Sequence, residues 1–596
     1  MAPGRRPSPW VRWAEGPRPT PAGGPRPSYG RRGRSSADCC HRRSGTAFLR
    51  AQGTLNIPTP REQTFVVEQS PNNVWDSFNP FTVNGEAYNY GYAIVCREYL
   101  FYLDLLTGTM TPWLATGYTY NPDYTECTLS LNPAVKWSDG QPFTSDDVVF
   151  TQNMLLQTPN LNGADRAILD IASVSASDPQ TVVFALKAPN PRFHYRFIAS
   201  IIGDDMRIVP KHIWEGQDPN SFQFNPPVQT GPYTLQESTS TGLYYLWAKN
   251  PNYWNSAVLD PAPQYVMYVQ SSSVDTSVQE FLAGNLDVSN NSDYLNQQVV
   301  ASQVDTIAQF AYPDPNPRAF HFNSDSPTGL FATGAGKWAM SYLMDRETYA
   351  NTIWQPTSRP ASYPWADYAS WAPWAPDSVM SKFDFSYSTD MANQALDALG
   401  STRDGDTRSL NGKPLVLDMI TPVTSSSAEF ALGNALVEAA KGVGIQISHR
   451  SLPGSAWSDA WQTGQFDISN HWAGGMALDP NQMYTNYHSR NYRPLGQRTN
   501  VFNEVRLRDP QLDALIDQLA NVDPSDQANR PTFDQALDVW MTDLPYSSTI
   551  QTLYAQLFST QYWTGWPTDD NPFANPLSWW GHFMFTIGGV KPAGGQ

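Results

Sequence analysis

The chain has 596 residues, which is long enough for two or more lobes. It contains 21 Trp, 29 Tyr and 27 Phe, only 16% charged residues, and a net charge of −17. Residues 1–50 carry 11 Arg and two acidic residues, so the remainder holds 27 basic and 53 acidic groups, a net charge of −26. Such a charge repels phosphates and excludes nucleic acid as a partner of the main body.

The basic head, residues 1–56, is rich in Pro, Gly and Arg and has almost no periodic apolar positions. This composition predicts either a disordered segment or a mis-assigned start that replaces an export leader. A nucleic-acid-binding arm is the alternative. The head lacks the apolar stretch of a leader, and no run in the chain approaches the ~20 apolar residues that a membrane-spanning helix needs.

The first predicted elements follow this head. "QTFVVEQ" (63–69) and "CTLSLN" (127–132) have the β-branched pattern of strands. Asp139 and Gly140 form a turn signal. "TSDDVVFTQNMLLQ" (144–157) predicts a helix, because an N-cap Thr or Ser and an acidic first turn precede helical spacing.

Further along, "TVVFALK" (181–187) predicts another strand. The stiff, polar, proline-rich "AYPDPNPRAF" (311–320) is typical of a crossover between lobes. "AEFALGNALVEAAKGVG" (428–444) predicts an amphipathic helix that ends in glycine, followed by the strand "IQISHRSL" (445–452).

The four cysteines do not have metal-binding spacing, and no cofactor or metal is expected. Cys39 and Cys40 lie in the basic head. Cys96 and Cys127 follow or lie within apolar segments, which predicts buried thiols. A disulfide between these two is the alternative and would fit an exported protein.

The segment "LNPAVKWSDGQPFTSDDVVFT" (131–151) combines a strand, the Asp139-Gly140 turn and a capped helix start. It resembles the signature of the family 5 extracellular solute-binding proteins, the substrate-binding components of bacterial ABC importers. Others follow in the family's order over residues 64–585: "RIVPKHIWEG" (207–216), "QTGPYTL" (229–235), "NPNYW" (250–254), "QEFLAGNLDVS" (279–289), "LMDRETYANTIW" (343–354), "GVGIQISHRSL" (442–452), "WSDAWQTGQFDIS" (457–469), "RDPQLDALIDQL" (508–519) and "DLPYSSTI" (543–550).

The resemblance implies an α/β fold of the periplasmic-binding-protein type, of the large cluster C kind, with two lobes, a hinge and a ligand cleft between the lobes. It implies that residues 57–312 form the first part of lobe I, with an inserted subdomain at about 98–235. Lobe II would be residues 313–535, and residues 536–596 would return to lobe I. The second crossing is expected near Leu544–Ile550.

The resemblance also implies a function without catalysis: capture of a ligand outside the cytoplasm and its delivery to a membrane permease and ATPase. The protein is expected to be a monomer, in the periplasm or on the outer face of the membrane, and a lipid anchor is left open. Members of the family bind peptides, nickel or oligosaccharides, so the ligand has to be argued separately.

The aromatic excess favours oligosaccharides, because the C–H face of a pyranose stacks on indole while its hydroxyls pair with amides and carboxylates. "QYWTGWPTDDNPF" (561–573) resembles a C-terminal signature of the cello-oligosaccharide-binding branch. Peptide-binding members commonly place an aspartate after a Gly-Trp pair, to hold the α-ammonium. Here Gly474 and Gly475 occupy that place, and Asp479 is predicted to form a turn.

We therefore predict a cleft that binds β-linked oligosaccharides of the cello-, xylo- or manno-type. An oligopeptide-binding component is the alternative, and a glycoside hydrolase is a remote one, since the acidic pairs of the sequence have turn or helix-start roles. The expected ligand-binding residues are Trp75, Asn79, Asn89, Trp371, Trp374, Trp472, Gly474, Gly475, Tyr484 and Trp579.

The loop "WADYASWAPWAPD" (365–377) contains three of the chain's tryptophans, stiffened by prolines. At least one of Trp365, Trp371 and Trp374 is expected to face the cleft. The others are expected to pack beneath the loop, because three exposed indoles would favour aggregation. Trp579 and Trp580 are adjacent, so a strand would direct them to opposite faces and at most one would contact a ligand.

Overall fold

The structure, a computed structural model, describes residues 55–69, 74–82, 88–198, 205–270, 273–289, 300, 302, 307–354, 357–422, 427–474, 478–499 and 503–594. The predictions for the basic head fall almost entirely outside these ranges. Among the described residues, no helix is both long enough and apolar enough to span a membrane.

Twelve of the described strands form one large sheet. Ten of them lie in the order β19 (Gln446–Ser451), β18 (Val416–Thr421), β20 (Ile468–Trp472), β13 (Arg318–Phe322), β21 (Tyr546–Ser559), β11 (Val288–Ser289), β1 (Thr64–Gln69), β10 (Tyr265–Gln270), β9 (Tyr244–Lys249) and β8 (Tyr233–Thr239). Two more, β12 (Ile307–Pro313) and β14 (Ser358–Pro360), pair with β21. The β1–β10, β1–β11, β18–β19 and β18–β20 pairs are parallel.

The other described strands form smaller antiparallel sheets. One has the order β4 (Ala115–Tyr120), β5 (Glu126–Leu131), β7 (Thr181–Leu186), β6 (Ile171–Asp178). A second has the order β15 (Thr402–Asp404), β16 (Thr407–Leu410), β17 (Lys413–Pro414). Two strand pairs complete the set: β2 (Phe101–Asp104) with β3 (Thr109–Pro112), and β22 (Trp563–Thr564) with β23 (Lys591–Pro592).

The described α-helices lie around these sheets: α1 (Ser145–Gln157), α2 (Ala164–Asp170), α3 (Lys211–Trp214), α4 (Val274–Leu282), α5 (Gly334–Ser341), α6 (Arg346–Thr348), α7 (Asp377–Met380), α8 (Thr389–Ala398), α9 (Ala428–Gly442), α10 (Gly454–Thr463), α11 (Asn481–Thr485), α12 (Pro510–Ala520), α13 (Arg530–Asp543) and α14 (Phe583–Gly589). Short 3-10 turns include Phe193–Phe197 and Ala372–Trp374, and π-type turns occur at Tyr88–Cys96 and Tyr349–Trp354.

The long strand β21 joins two groups of strands in the large sheet. Its residues 546–550 pair with β13, and its residues 553–559 pair with β12. We call the group that contains β1 and β8–β12 the first half, and the group that contains β13, β14 and β18–β20 the second half. The chain passes from one group of strands to the other at 313–318, between β12 and β13, and again along β21 at 550–553. The division into lobes at 312/313 and 535/536 stays a prediction.

The local sequence predictions are confirmed. The predicted strands are β1, β5, β7 and β19, and the predicted helices are α1 and α9. Helix α1 begins as expected, because the Asp147 carboxylate accepts a hydrogen bond from the Thr144 backbone N–H at 2.9 Å. Gly140 has a φ of +89°, a turn conformation that suits glycine. Cys96 and Cys127 are both buried free thiols, so the alternative of a disulfide between them is excluded.

Candidate functional site

The crossing between β12 and β13 carries two charged side chains, Asp314 and Arg318. Asp314 is buried, and its backbone N–H donates to the carbonyl of Thr552 in β21 at 2.9 Å. Its carboxylate accepts from the Thr552 hydroxyl at 3.2 Å and from Arg318 Nη2 at 3.4 Å. The two crossing strands are therefore tied together by a carboxylate at the point where the halves of the sheet meet.

Arg318 connects this point to helix α9. Its Nη1 lies 3.9 Å from Glu429 Oε1, and its guanidinium carbon lies 5.4 Å from the centre of the Trp354 ring. Glu429 sits in the first turn of α9, where the helix dipole favours a carboxylate. The crossing, with Asp314 and Arg318, and helix α9, with Glu429, thus bring three charged side chains from two distant segments into one group.

Burial and ion pairing shift the pKa values of all three charged side chains of this group. Burial raises the pKa of Glu429 and of Asp314, and the Arg318 guanidinium partly offsets this for each carboxyl. Burial disfavours the Arg318 cation, but the two carboxylates outweigh it and raise its pKa. Two atoms, Glu429 Oε1 and Arg318 Nε, are buried without a hydrogen-bond partner in the described structure. Buried polar atoms of this kind normally have partners.

Partly exposed aromatic rings surround the charged group. Tyr554 of β21 contacts the edge of Trp579 with ring centroids 5.4 Å apart, and both rings keep some exposed surface, as does Trp354. Tyr554 also lies close enough to Asp314 and Arg318 to interact with their charges. We call these six residues the hinge cluster: Trp354, Asp314, Arg318, Glu429, Tyr554 and Trp579.

Trp472 lies beside the hinge cluster. It is the register partner of Arg318 across the antiparallel pair of β20 and β13, so the two side chains share one face of the sheet. The Trp472 side chain is 42% exposed, which is unusual for an indole in a sheet. At the nearby Gly474, a Cβ atom would meet open space. The end of β20 therefore presents an exposed ring and an unobstructed backbone.

A second set of contacts joins segments on either side of the crossing. Arg192 Nε donates to Asp479 Oδ2 at 2.9 Å, and Tyr195 donates to the same oxygen. Arg192 Nη1 also donates to the carbonyls of Leu519 and Ala520 at the end of α12, at 2.7 and 3.2 Å. We call Arg192, Tyr195 and Asp479 the clasp. Asp479 also forms the predicted turn, since its Oδ1 accepts from the backbone N–H of Asn481 at 3.0 Å.

Of the ten residues expected to bind ligand, three lie in or beside the hinge cluster: Trp472, Gly474 and Trp579. Trp579 lies in a turn, not a strand, and its neighbour Trp580 contacts Tyr312. Gly475 and the side chain of Asn89 fall outside the described part of the chain.

Three other expected residues are placed away from the hinge cluster. Trp75 is partly buried and stacks on Tyr245 at 4.8 Å. The Asn79 amide nitrogen donates to the carbonyls of Pro219 and Phe222, and its oxygen accepts from a backbone N–H, so its hydrogen bonds hold a loop. Tyr484 is fully buried on α11.

The loop 365–377 buries all three of its tryptophans. Trp365, Trp371 and Trp374 are 2%, 1% and 8% exposed, so the expectation that one of them faces a cleft finds no support in this structure. Trp371 packs edge-on against Tyr368 at 4.6 Å, and the Tyr368 hydroxyl donates to the carbonyl of Pro313 at 2.7 Å. The loop therefore packs against the first crossing, which explains its stiff, indole-rich sequence.

Sequence reasoning missed the charged members of both groups. Arg318 and Asp314 lie within the predicted crossover, but nothing in the local pattern distinguishes them from ordinary polar loop residues. Glu429 looks like a normal acidic residue in the first turn of a helix. The partner of Asp479 is 287 positions away, so no local signal could identify it.

In the described part of the chain, no group of three or more His, Cys, Asp or Glu side chains is placed to hold a metal ion. The hinge cluster instead offers aromatic faces, a buried carboxylate oxygen and a guanidinium N–H to a polar organic ligand.

Two strand groups joined at a double crossing, with a polar aromatic site at the junction, define a mixed α/β binding protein of the periplasmic type. Residues 109–493 match the model of the bacterial extracellular solute-binding proteins, family 5 Middle. The chain belongs to this family.

Curated relatives agree with this assignment. Protein XP55 of Streptomyces lividans is 33% identical over 163 residues, 27% of this chain and 28% of that protein. The oligopeptide-binding protein OppA of Mycobacterium tuberculosis is 25% identical over 415 residues, 67% of this chain and 64% of that protein. The chain thus spans less than two thirds of the length of these relatives.

Solved structures match over nearly the whole chain. The periplasmic oligopeptide-binding protein of Thermotoga maritima has a TM-score of 0.76 at 22% identity, covering 90% of this chain and 100% of that one. Its mannohexaose-bound form has a TM-score of 0.71 at 22% identity, with 90% and 99% covered. AppA of Bacillus subtilis with a nonapeptide has a TM-score of 0.66 at 18% identity, with 89% and 98% covered. At these identities the likeness shows the fold alone.

Proposed function

We propose that this protein is the substrate-binding component of an ABC importer and that it captures neutral β-linked oligosaccharides of the cello-, xylo- or manno-type. The ligand would lie at the hinge cluster, between the two halves, and closure of the halves would bury it. The protein would act outside the cytoplasm as a monomer and deliver the ligand to permease and ATPase subunits, with no bond made or broken.

One observation carries the proposal: partly exposed rings lie around a buried carboxylate whose oxygen, Glu429 Oε1, lies 3.9 Å from Arg318 Nη1 and accepts no hydrogen bond in the described structure. Trp354, Trp472 and Trp579 provide flat apolar faces on which the C–H face of a pyranose can stack. Glu429 Oε1 has no hydrogen-bond partner in the described structure, and a sugar hydroxyl can donate to it. Rings and hydroxyl acceptors together are what a neutral oligosaccharide requires.

The clasp bears on the choice between sugar and peptide. Asp479 is the acidic residue that follows the Trp472–Gly475 run, and it would be the natural candidate to hold a peptide's α-ammonium. In this structure its Oδ2 accepts from Arg192 and Tyr195 and its Oδ1 from Asn481. An aspartate engaged in this way is not free to bind an ammonium group.

An oligopeptide-binding component is the second candidate, and the same carboxylate favours it. Glu429 Oε1 is buried 3.9 Å from the Arg318 guanidinium and accepts no hydrogen bond in the described structure, so it could accept one from an ammonium as well as from a hydroxyl. Named relatives include oligopeptide-binding proteins, while one structural neighbour holds mannohexaose. Both ligand classes therefore have support among similar proteins. Removing the charge of Glu429 distinguishes them, because a peptide ammonium needs that charge and a sugar hydroxyl does not.

The experiment is a titration of the full chain with cello-, xylo- and manno-oligosaccharides and with di- to pentapeptides. Intrinsic tryptophan fluorescence and melting temperature are followed for the wild type and for Glu429→Gln. An amide still accepts a hydroxyl hydrogen bond, so sugar affinity should change by only a few-fold. A peptide ammonium would lose a charge-assisted bond of about 2 kcal/mol, roughly 30-fold in affinity.

Glu438→Gln is the matched control, because Glu438 is exposed on the same helix and pairs only with Lys441 in the described contacts. It should leave every affinity unchanged. Saturable binding of one sugar series, with silent peptides, supports the proposal. Binding of peptides alone, weakened strongly by Glu429→Gln, would replace it with the oligopeptide function.

A further inference from the structure

Asn470 lies beside the hinge cluster on β20, two residues before Trp472. In the antiparallel pair of β20 and β13, Asn470 is the register partner of Phe320, and Trp472 is the register partner of Arg318. Side chains two positions apart along a strand lie on the same face of the sheet, so Asn470, Trp472 and Arg318 share one face. Asn470 is 1% exposed and therefore forms the buried continuation of the surface that Trp472 presents.

The hydrogen bonds of Asn470 fix the orientation of its amide. Its Nδ2 donates to the backbone carbonyl of Glu429 at 2.6 Å and to the Thr421 hydroxyl at 3.4 Å. A carbonyl oxygen can only accept a hydrogen bond, so the atom that faces Glu429 is the amide nitrogen. Asn470 Oδ1 is left as an acceptor, and it is buried without a hydrogen-bond partner in the described structure.

Two further unpaired atoms belong to side chains that adjoin Asn470. Glu429, whose carbonyl holds the Asn470 amide, has the unpaired Oε1, and Arg318, on the same face of the sheet, has an unpaired Nε. Arg318 Nη1 lies 3.9 Å from Glu429 Oε1, which is beyond hydrogen-bond distance. Two acceptors and one donor are thus buried here without partners in the described structure, although buried polar atoms normally have them.

These three atoms specify the chemical group that satisfies them. The two acceptors need two hydrogens, and the Arg318 Nε–H needs a lone pair. A single hydroxyl has one hydrogen and satisfies only one acceptor, whereas two neighbouring hydroxyls supply two hydrogens and the lone pairs as well. An ammonium group has the hydrogens but no lone pair, so it would leave Arg318 Nε unpaired and place a second cation beside the guanidinium.

We propose that Asn470 is a specificity-determining residue of the hinge-cluster site, where it binds a vicinal diol of a pyranose ring together with Glu429 and Arg318. This role presupposes the oligosaccharide function. In cello-, xylo- and manno-oligosaccharides, every inner sugar unit keeps two free neighbouring hydroxyls. The C–H face of the ring stacks on the exposed Trp472 indole, while the diol donates to Asn470 Oδ1 and Glu429 Oε1 and accepts from Arg318 Nε.

Isothermal titration of the full chain with cellotetraose, xylotetraose and mannotetraose tests the proposal. Each sugar is compared with a derivative whose neighbouring hydroxyls are O-methylated, which keeps the oxygens as acceptors but removes the hydrogens. For the series that binds, methylation should weaken binding to the wild type by about 10-fold or more. Asn470→Leu, which keeps a similar side-chain volume but removes the acceptor, should weaken the unmodified sugar by about as much.

The effects of the two changes should not be additive. Once Asn470→Leu has removed the acceptor, methylation removes one hydrogen bond fewer, so its effect should shrink by about 3-fold or more. A general loss of packing in the variant would not produce this coupling, because it would weaken the free and the methylated sugar alike. Asn434→Leu is the matched control, since Asn434 is exposed on α9 and its Oδ1 contacts His449 Nδ1 at 2.9 Å. It should leave both affinities unchanged.

Should Asn470→Leu fail to fold, Asn470→Ser takes its place, because the smaller polar side chain removes the same acceptor without adding bulk. A sugar that binds equally well in its free and methylated forms would overturn the diol assignment and leave the oligosaccharide function standing. Fully additive effects would overturn the role of Asn470. If none of the three tetrasaccharides binds to the wild type, the oligosaccharide function is overturned, and the role of Asn470 with it.

Discussion

Arg192 and Asp479, which are 287 positions apart in the chain, form an ion pair of 2.9 Å in which the Asp479 carboxylate is fully buried. Tyr195 donates to the same carboxylate, and Tyr124 donates to Asp523 at 3.2 Å nearby. These contacts join residues 124–195 to residues 479–523 and do not involve the crossing strands, so they connect the parts of the chain before and after the first crossing a second time. Closure of the molecule should depend on them.

Arg192→Ala should weaken ligand binding at least 10-fold. The change removes the partner of a buried carboxylate, which disfavours the closed form much more than an open form in which Asp479 is hydrated. Small-angle scattering should show a larger radius of gyration. Tyr124→Phe, which removes only a single hydrogen bond to Asp523, is the control and should change the affinity and the radius less than Arg192→Ala does. An unchanged radius and affinity in Arg192→Ala would mean that the clasp does not control closure.

Arg318→Met should destabilise the fold by about 3–5 kcal/mol, because Asp314 and Glu429 would be left as buried carboxylates without their cation. Urea unfolding of the ligand-free protein measures the change. The double variant Arg318→Met/Glu429→Gln should recover part of the loss, since one of the two carboxylates becomes neutral. Equal stabilities of the single and double variants would show that Arg318 and Glu429 are not coupled.

Two tryptophan substitutions should have opposite profiles. Trp472→Ala removes a ring that is 42% exposed, so it should cost about 1 kcal/mol of stability or less while reducing oligosaccharide affinity at least 10-fold. Trp371→Ala removes a ring that is 1% exposed and should cost about 3–5 kcal/mol. Melting curves and fluorescence titrations give both quantities. If Trp371→Ala reduced the oligosaccharide affinity while Trp472→Ala reduced mainly the stability, the loop 365–377 would belong to the ligand site.

His321 should make stability depend on pH. Burial lowers its pKa to about 3, from 6.5 in the unfolded chain, and its ring stacks on His471 at 4.0 Å. Between these pKa values the unfolded state binds the extra proton, so His321 stabilises the fold above pH 6.5 and this contribution is lost as the pH falls towards 3.

His321→Gln removes that titration. Between pH 4 and 6, the unfolding free energy of the wild type should therefore rise more steeply with pH than that of the variant, by about 1.4 kcal/mol per pH unit. Urea unfolding at a series of pH values measures both slopes. Parallel curves would mean that His321 is protonated in the folded protein.

The sequence by itself determined the local elements and the family. The β-branched run of β1 and the acidic start of α1 are short-range patterns, because strand preference and helix capping are set by neighbouring residues. The resemblance to the family 5 solute-binding proteins rests on motifs that follow one another in the family's order over most of the chain. The family model matches residues 109–493 and confirms the family.

Only the tertiary structure decided which side chains meet. Trp371 and Trp472 look equally available in the sequence, but one is buried beneath a loop and the other is exposed at a strand end. Glu429 and Arg318 become one charged group, and Arg192 finds Asp479, through contacts between distant segments. Burial and charge pairing are properties of the packed chain, because each depends on what covers a residue from elsewhere in the fold and not on its neighbours in sequence.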